Sequence, residues 1–293
     1  MRIGDSELIL NDDGSIYHLH LKPENIADKI ILVGDQGRVK TVSSFFDSIE
    51  FEVQNREFFT QTGYYKGQRI TVLSTGIGTD NIDIVINELD AIVNIDLKKR
   101  TIKEKHKSLT FVRIGTSGGL QDFTPAGTYL LTEKSIGLDG MLNYYKDVTR
   151  VSDTDFEKAF MEHLQWNPRL TTPYIVDIDN NLLNLLSEGQ NVVRGVTMAA
   201  PGFYGPQGRT LRLTPSDPEF NNKVQHFEYS GYKITNYEME SSALYGLSKM
   251  LGHKAATICL IIANRVNKTY LDDYKTRIKD LIVYVLDKLV SDK

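Results

Sequence analysis

The sequence predicts an α/β protein with a central mixed β-sheet flanked by helices. Short runs rich in β-branched and aromatic residues alternate with stretches whose apolar residues recur at helical spacing, and this alternation is typical of α/β folds. The 293 residues are 41% hydrophobic and 25% charged, as in globular proteins large enough to form one core. No linker, repeat or low-complexity tract divides the chain, so we expect residues 1–293 to form a single domain.

In the first part of the chain, "KIILVGD" predicts a strand and "RVKTVSSFF" the helix after it. The stretch 51–78 predicts a hairpin, because two β-prone runs are joined around Gly63 and Gly67 and the second run ends in glycines. The stretch "NIDIVINELDAIVNIDL" has the apolar spacing of an amphipathic helix.

Later stretches continue the alternation. A buried strand that runs into a glycine turn is predicted by "LTFVRIGTSGGL". The helix predicted by "ESSALYGLSKMLG" stops at Gly252, which suits a C-terminal cap. Three further strands and the last helix are predicted by "GTYLLTEKSIG", "NVVRGVTMAA", "AATICLIIAN" and "YLDDYKTRIKDLIVYVLDKLV".

Composition limits the functions that are open to the chain. The formal net charge of -4 gives no general attraction to nucleic acid. The basic stretch 97–107 follows a helix end and favours a solvated loop over an interaction patch. Cys259 lies in an apolar run and is expected to be a structural thiol. The N-terminus lacks a signal peptide's apolar core, and no apolar run approaches the roughly 20 residues of a membrane span, so we expect a cytoplasmic protein.

Three glycine-rich turns are candidate anion sites: "VGDQGR", "STGIG" and "RIGTSGG". Glycine lets backbone N–H groups approach an anion closely, although none of the three matches a nucleotide-binding fingerprint. Arginines lie near them, namely Arg38, Arg56 and Arg113, and a guanidinium in a buried strand needs an anionic partner. That partner is either a phosphate group or an internal carboxylate such as Asp35 or Glu57, and composition favours neither.

Six motifs carry a resemblance to a known family. They are "ILVGDQGRV", "NREF", "STGIG", "VRIGTSGGL", "FYGPQGR" and "NYEMESSALYGLS". Their order and approximate spacing resemble those of the nucleoside phosphorylase-I family, and most closely its uridine-cleaving members. The resemblance spans about residues 16–290 and covers 98–108 and 140–190 poorly, so it gives those two segments no role.

The resemblance implies a phosphate site. It assigns to this site the backbone of Gly34, the guanidiniums of Arg38 and Arg113, and the hydroxyl of Thr116. Arg56 is expected to complete the site from a neighbouring subunit. The family usually has proline where this chain has Gln36, but backbone N–H donors do not depend on that side chain.

A ribose site is implied around "NYEMES". By resemblance, Glu240 accepts hydrogen bonds from the ribose hydroxyls, Met239 packs against the sugar and Glu238 lines the same floor. The alternative is a capping acid at a helix N-terminus beside a core methionine. His18 is expected to reach the ribose 5′-hydroxyl of the adjacent subunit.

His18 and His20 alternate as if on one face of a strand, but no third ligand is evident, so we expect no metal site there.

The stretch "GFYGPQGR" is implied to hold the base. The resemblance places the aromatic ring of Phe203 on uracil and the side chains of Gln207 and Arg209 at its edge. Purine-specific relatives generally have an aspartate late in the sheet, whereas this chain has Asn264 and Arg265 there. Transition-state stabilisation is assigned to Arg113, Glu240 and Arg209, because the ribose gains positive charge and the leaving base negative charge.

The activity implied is phosphate-dependent cleavage of uridine to uracil and ribose 1-phosphate. No organic cofactor is implied. Some family members hold potassium near the glutamate matching Glu57. In this chain Asn81 replaces the usual serine, so the resemblance does not decide whether potassium binds. The expected partners are uridine, phosphate and a second subunit, in a homodimer or a hexamer. The rival interpretations are a purine nucleoside phosphorylase or another family member, and a nucleoside-binding sensor without catalysis.

Overall fold

The computed structural model describes residues 2–188 and 192–291. Fourteen strands lie within these ranges. They are β1 Lys29–Val33, β2 Ser48–Asn55, β3 Phe58–Tyr65, β4 Gln68–Ser74, β5 Ile95–Asp96, β6 Thr101–Ile102, β7 Thr110–Gly119, β8 Tyr129–Gly137, β9 Tyr174–Asp177, β10 Val192–Ala199, β11 Glu228–Tyr229, β12 Tyr232–Glu238, β13 Lys254–Asn264 and β14 Thr269–Tyr270.

Seven α-helices and four short 3-10 helices lie in the same ranges. The α-helices are α1 Gln36–Ser43, α2 Thr79–Asn94, α3 Thr154–Leu164, α4 Asn180–Ser187, α5 Phe220–His226, α6 Ser241–Leu251 and α7 Tyr274–Ser291. The 3-10 helices are Pro23–Asn25, Met141–Tyr144, Val148–Arg150 and Gly205–Gln207.

Twelve of the described strands form one mixed sheet in the order β11-β12-β10-β8-β13-β7-β1-β4-β3-β2, with β9 on β8 and β14 on β13. Strand β7 is parallel to β1 and β13, and it also pairs antiparallel with β12. This last pairing closes β7, β13, β8, β10 and β12 into a ring. The predicted fold class is confirmed, and the ring brings the end of β7 next to the end of β12.

Helix positions follow from burial and capping. The Asp35 side chain accepts the Gly37 N–H at 2.9 Å and so starts α1 directly after β1. Helix α6 ends at Gly252, whose φ of 81° is the left-handed conformation of a C-terminal cap. Helix α7 buries an apolar face that includes Leu281 and Val285. The predicted helices are therefore confirmed, with shifts of a few residues at their ends.

The hairpin predicted at 51–78 is confirmed in part, since β3 and β4 are antiparallel and joined at Gly67, but the segment also includes most of a third strand, β2, which pairs with β3. Gly63 lies inside β3 rather than in a turn. A methyl group at Gly63 would lie 2.1 Å from the Ser48 carbonyl oxygen, where the β2–β3 register shifts. This glycine permits close approach of two strands, while the reversals occur at Arg56 and at Gly67.

Two other local predictions are corrected. Strand β7 does not end in a glycine turn but continues through Gly119, since β13 and β12 supply partners for its glycine-rich end. His18 and His20 do not alternate on a strand. The backbone N–H groups of His18 and Leu19 bind the Glu88 carboxylate, and His20 has a φ of 52°.

Three further predictions concern exposure. Most of the basic stretch 97–107 is exposed, as predicted for a solvated loop, and β6 lies within it. Cys259 is fully buried in β13, and burial raises the pKa of its thiol to about 12, which suits the predicted structural thiol. Across residues 2–188 and 192–291, no helix combines the length and apolarity needed to span a bilayer. That residues 1–293 form a single domain stays a prediction.

Candidate active site

A pocket of about 810 Å³ lies where the ends of β1, β4, β7 and β12 converge. It contains residues from all three glycine-rich segments identified in the sequence. The predicted residues that line it are Gly34, Arg38, Arg113, Thr116, Phe203, Gln207, Arg209, Glu238, Met239 and Glu240. One cavity therefore gathers ten side chains or backbone groups that are scattered over more than two hundred residues of sequence.

Arg113 is the most buried cation of the pocket, with a side chain only 6% exposed. Its Nη2 donates to Glu240 Oε2, and its Nη1 lies 3.4 Å from Glu238 Oε2. Burial alone would lower the pKa of Arg113, but the carboxylates of Glu240 and Glu238 outweigh it and hold that pKa above its ordinary value. The buried guanidinium thus has the anionic partners that its position requires, and they are neither Asp35 nor Glu57.

Gly115 makes room for this guanidinium. A methyl group at Gly115 would lie 2.4 Å from Arg113 Nη1 and 2.9 Å from Cys259 Sγ. Both distances are shorter than real carbon contacts permit, so any side chain here would displace Arg113. This glycine therefore serves the placement of a side chain, not a turn.

Arg38 supplies a second, half-buried cation. Its Nη1 donates to the Ile114 carbonyl oxygen at 3.3 Å, and it forms no ion pair with a carboxylate in the described part of the chain. Burial and the nearby Arg113 lower its pKa. Asp35, the closest candidate in sequence, instead caps α1. The corner formed by Arg38, Thr116 and Gly34 consequently suits an anion.

The carboxylate of Glu238 is held by the start of α6. It accepts the backbone N–H of Glu240 at 2.9 Å and that of Ser241 at 3.0 Å, and the Ser241 hydroxyl at 2.6 Å. Burial nevertheless raises its pKa to about 7. Glu238 thus binds an N–H group of the first turn of α6, as expected for a capping acid in this stretch, and it also lines the pocket.

Glu240 bridges two parts of the site. Its Oε1 accepts the Gly78 N–H at 2.8 Å, while its Oε2 faces Arg113. Gly78 has a φ of 100°, which favours glycine in this turn. Met239, between the two acids, is half-buried against the same pocket.

The other end of the pocket combines an aromatic ring with polar groups. The Arg209 guanidinium lies 3.7 Å from the centre of the Phe203 ring, and its Nη1 donates to Gln207 Oε1 at 2.6 Å. Gln207 is only 3% exposed. Its amide nitrogen forms no hydrogen bond within the described residues, so this NH₂ is available to a ligand.

Sequence reasoning missed the role of Arg265. Its Nη1 donates to the Gln207 carbonyl oxygen, and its guanidinium lies 5.0 Å from the centre of the Tyr237 ring. The neighbouring Asn264 has no such role, because its Nδ2 donates at 2.7 Å to the carbonyls of Gln121 and Thr124. The only sequence signal was the position of the Asn264–Arg265 pair at the end of a buried strand.

Two predicted residues lie away from the pocket of their own chain. The Arg56 side chain is exposed in the β2–β3 turn, and its carbonyl oxygen accepts Gln36 Nε2 at 2.6 Å. His18 Nδ1 lies 2.6 Å from Glu88 Oε1. Neither residue lines the pocket. Their predicted roles across a subunit interface stay predictions.

An α/β protein whose pocket combines an anion corner, a carboxylate floor and an aromatic–amide end has the parts of a nucleoside-processing site. The chain belongs to the phosphorylase superfamily, whose family model matches residues 28–282. This confirms the predicted family membership.

Curated relatives agree with this placement. Uridine phosphorylase from Thermococcus kodakarensis is 30% identical over 263 residues, covering 88% of this chain and 81% of that protein. A DeoD-type purine nucleoside phosphorylase from Streptococcus suis is 26% identical over 282 residues, covering 94% of this chain and 99% of that protein.

Solved structures show the same fold. A Trypanosoma brucei nucleoside phosphorylase described as showing uridine phosphorylase activity superposes with a TM-score of 0.84 at 30% identity, covering 97% of this chain and 99% of that chain. A Phytophthora capsici uridine phosphorylase superposes with a TM-score of 0.70 at 20% identity, covering the whole of both chains, and supports the fold alone.

Proposed function

We propose that this protein is a uridine phosphorylase, which converts uridine and phosphate into uracil and ribose 1-phosphate. The observation that carries the proposal is the half-buried Arg38, which forms no ion pair with a carboxylate of residues 2–188 and 192–291 and lies beside Arg113 in a pocket that also contains Glu240 and Gln207. A site that only bound nucleosides would have no need for an unpaired cation next to the sugar floor.

Phosphate binds, in this proposal, between Arg38 and Arg113. Planar guanidiniums match phosphate oxygens in pairs, and the Thr116 hydroxyl and the Gly34 N–H add neutral donors. Burial strengthens these charge-assisted hydrogen bonds, because little water competes for the same donors.

The ribose lies over Met239 and Glu240. A phosphate oxygen forms a bond to C1′ while the C1′–N1 bond breaks, and the electron pair of that bond leaves with uracil N1. Attack on the face opposite the base inverts C1′, so the product is the α-anomer. Positive charge develops on the ribose in this step, and the Glu240 carboxylate and the Met239 sulfur stabilise it more strongly than they stabilise the neutral sugar.

The base binds against Phe203. The free amide NH₂ of Gln207 donates to a uracil oxygen, and the Arg209 guanidinium stabilises the negative charge that uracil acquires on leaving. Asn264 does not protonate a purine, because an amide is not an acid and its nitrogen is bound to two carbonyl groups. This arrangement favours a pyrimidine that leaves as an anion. The reaction requires no organic cofactor.

The second subunit has a proposed role in the same site. Arg56 would add a third guanidinium to the phosphate, and His18, whose ring is oriented by Glu88, would reach the ribose 5′-hydroxyl of the adjacent subunit. A two-fold homodimer would then contain two composite sites, and a hexamer would contain three such dimers.

The test is an assay of the purified protein with uridine or inosine, each with and without phosphate. We expect uracil release only from uridine and only with phosphate, and Arg38→Ala should abolish it. Faster cleavage of inosine would show a purine nucleoside phosphorylase, which the Streptococcus suis relative represents. Nucleoside binding without phosphate-dependent turnover would show a sensor.

A further inference from the structure

The main chain of Gln207 is fixed by a residue that lies outside the pocket. The Gln207 carbonyl oxygen accepts Arg265 Nη1 and also Asn221 Nδ2, the latter at 3.2 Å. Asn221 belongs to α5 and is not among the residues that line the pocket. Its Oδ1 accepts the hydroxyl of Tyr237 at 2.8 Å. A side chain of α5 therefore connects the floor strand β12 to the backbone of the base-reading segment.

The hydrogen bonds fix the orientation of the Asn221 amide. A carbonyl oxygen cannot donate, so the NH₂ of Asn221 must face Gln207 and its oxygen must face Tyr237. The Tyr237 phenol supplies the proton for the second bond, and burial raises its pKa, which keeps that proton in place. Both ends of the amide are thus satisfied in one orientation only.

The chain after Gln207 is shaped to pass over this amide. Gly208 has a φ of 68°, and a methyl group there would lie 2.2 Å from Asn221 Nδ2. Glycine is therefore required at this position for two reasons: its backbone is left-handed, and it passes close to the Asn221 amide.

A second cavity borders this segment on the side away from the substrate pocket. The 3-10 helix Gly205–Gln207 is three residues long, and Gly205, Pro206 and Gly208 form part of the wall of a separate cavity of about 340 Å³. Its apolar lining includes Trp166, Leu170 and Phe220. A short segment that borders a cavity on one side and the substrate pocket on the other depends strongly on its hydrogen bonds for its position.

We propose that Asn221 is a positioning residue for base recognition, which acts through the backbone of Gln207 and touches no substrate. The inference rests on the proposed function, in which Gln207 binds the edge of the base. Loss of the Asn221 amide would leave Arg265 as the remaining side-chain donor to the Gln207 carbonyl and would let the Gln207 side chain shift.

The experiment compares Asn221→Ala with Asn222→Ala, the same change one residue further along α5. Among the residues that the structure describes, the Asn222 side chain bonds only to Glu219. We expect Asn221→Ala to lower kcat/KM for uridine by roughly five- to a hundredfold. The KM for phosphate should stay within about twofold, and Asn222→Ala should resemble the parent. Equal losses in the two variants would overturn the proposal.

A double-mutant cycle tests the route of action. In a Gln207→Ala background, Asn221→Ala should cause little further loss, because the side chain that it positions is gone. The same fold-loss in both backgrounds would show that Asn221 acts on something else. If Asn221→Ala does not fold, Asn221→Asp keeps the acceptor for Tyr237, lacks the donor to Gln207, and should show the same loss.

The test of Asn221 can be distinguished from the test of uridine phosphorylase activity. Failure of the parent protein to cleave uridine would reject the function alone. The same cycle would then be measured with the nucleoside that the parent does cleave, or by calorimetric affinity if it cleaves none. Coupling between Asn221 and Gln207 is expected in each case, and its absence rejects the inference.

Discussion

The Arg113 guanidinium and the Glu240 carboxylate bind one another, although the proposed function assigns them to different substrates. Phosphate alone must compete with Glu240 for Arg113 and leaves a buried carboxylate with fewer donors. A nucleoside supplies ribose hydroxyls to that carboxylate. Each substrate therefore removes part of the cost of binding the other, and this coupling is reciprocal.

We predict that phosphate binds roughly 5- to 150-fold more tightly when a nucleoside is present. Isothermal calorimetry with phosphate, with and without pseudouridine, measures this, because the C–C glycosidic bond of pseudouridine does not undergo phosphorolysis. In Glu240→Gln the neutral amide competes weakly for Arg113, so the coupling should shrink. Equal phosphate affinity with and without pseudouridine in the parent protein would contradict the prediction.

Arg113→Ala should abolish activity and lower the free energy of unfolding. The substitution leaves Glu238 and Glu240 buried without their cation, and breaking a buried ion pair on one side costs about 3–5 kcal/mol. Urea unfolding at pH 8 measures the loss. Adding Glu240→Gln to Arg113→Ala should recover part of the free energy of unfolding but none of the activity, and failure to recover any would contradict the ion-pair explanation.

The raised pKa of Glu238 predicts a pH-dependent stability. Its folded-state pKa of about 7 lies above the ordinary 4.5, so the folded protein binds more protons than the unfolded chain between these values. This group's contribution to stability therefore falls as pH rises from about 4.5 to 7. Glu238→Gln should flatten that part of the profile of unfolding free energy against pH. An unchanged slope would show that Glu238 stays ionised.

Gly115→Ala should reduce activity by displacing the Arg113 guanidinium, since the new methyl group would lie 2.4 Å from Nη1. We expect a loss in kcat/KM of roughly a hundredfold or more, as for misplacement of a catalytic group. Gly4→Ala is the control, because Gly4 does not line the pocket and the nearest atom to its methyl group is 3.8 Å away. Similar activities of the two variants would argue against a need for this close approach.

Mixed dimers test the shared site. Arg56→Ala and Glu240→Ala should each be nearly inactive alone. In a dimer that contains one of each, one site carries both defects and the other carries neither, so random co-expression should recover about a quarter of the parent activity. Isolated mixed dimers no more active than either variant would show that Arg56 does not act across the interface.

Local patterns predicted many of the elements. Burial of one face gives α2 a helical period, and strands buried on both faces, such as β1, β8 and β13, form continuous apolar runs. The pairing of β12 with β7 was not predictable, since it joins segments more than a hundred residues apart and no local period encodes it. Gly63 was incorrectly assigned to a turn. The sequence alone does not distinguish a glycine that permits close approach of a neighbouring strand from a glycine that forms a turn.

The candidate active site was also predicted in part, and the part that depends on long-range strand pairing was missed. A guanidinium in a buried strand correctly predicted that Arg113 has an anionic partner, but sequence proximity suggested Asp35 or Glu57. The partners are Glu238 and Glu240, because the closed ring of strands brings β12 beside β7. Motif resemblance located the residues that line the pocket. The motif resemblance gave no signal for Asn221, because in our proposal Asn221 acts on the backbone of Gln207.

The placement of β7 inside the ring gives the two ends of the pocket different local stabilities. Its backbone is hydrogen-bonded to strands on both sides, whereas segment 203–209 is held by one three-residue helix and a few side-chain contacts. Amides of β7 should exchange with solvent deuterium only when the whole protein unfolds, and those of 203–209 should exchange through local opening. The end of the pocket at Arg113 should therefore stay ordered when the segment that carries Phe203, Gln207 and Arg209 opens locally.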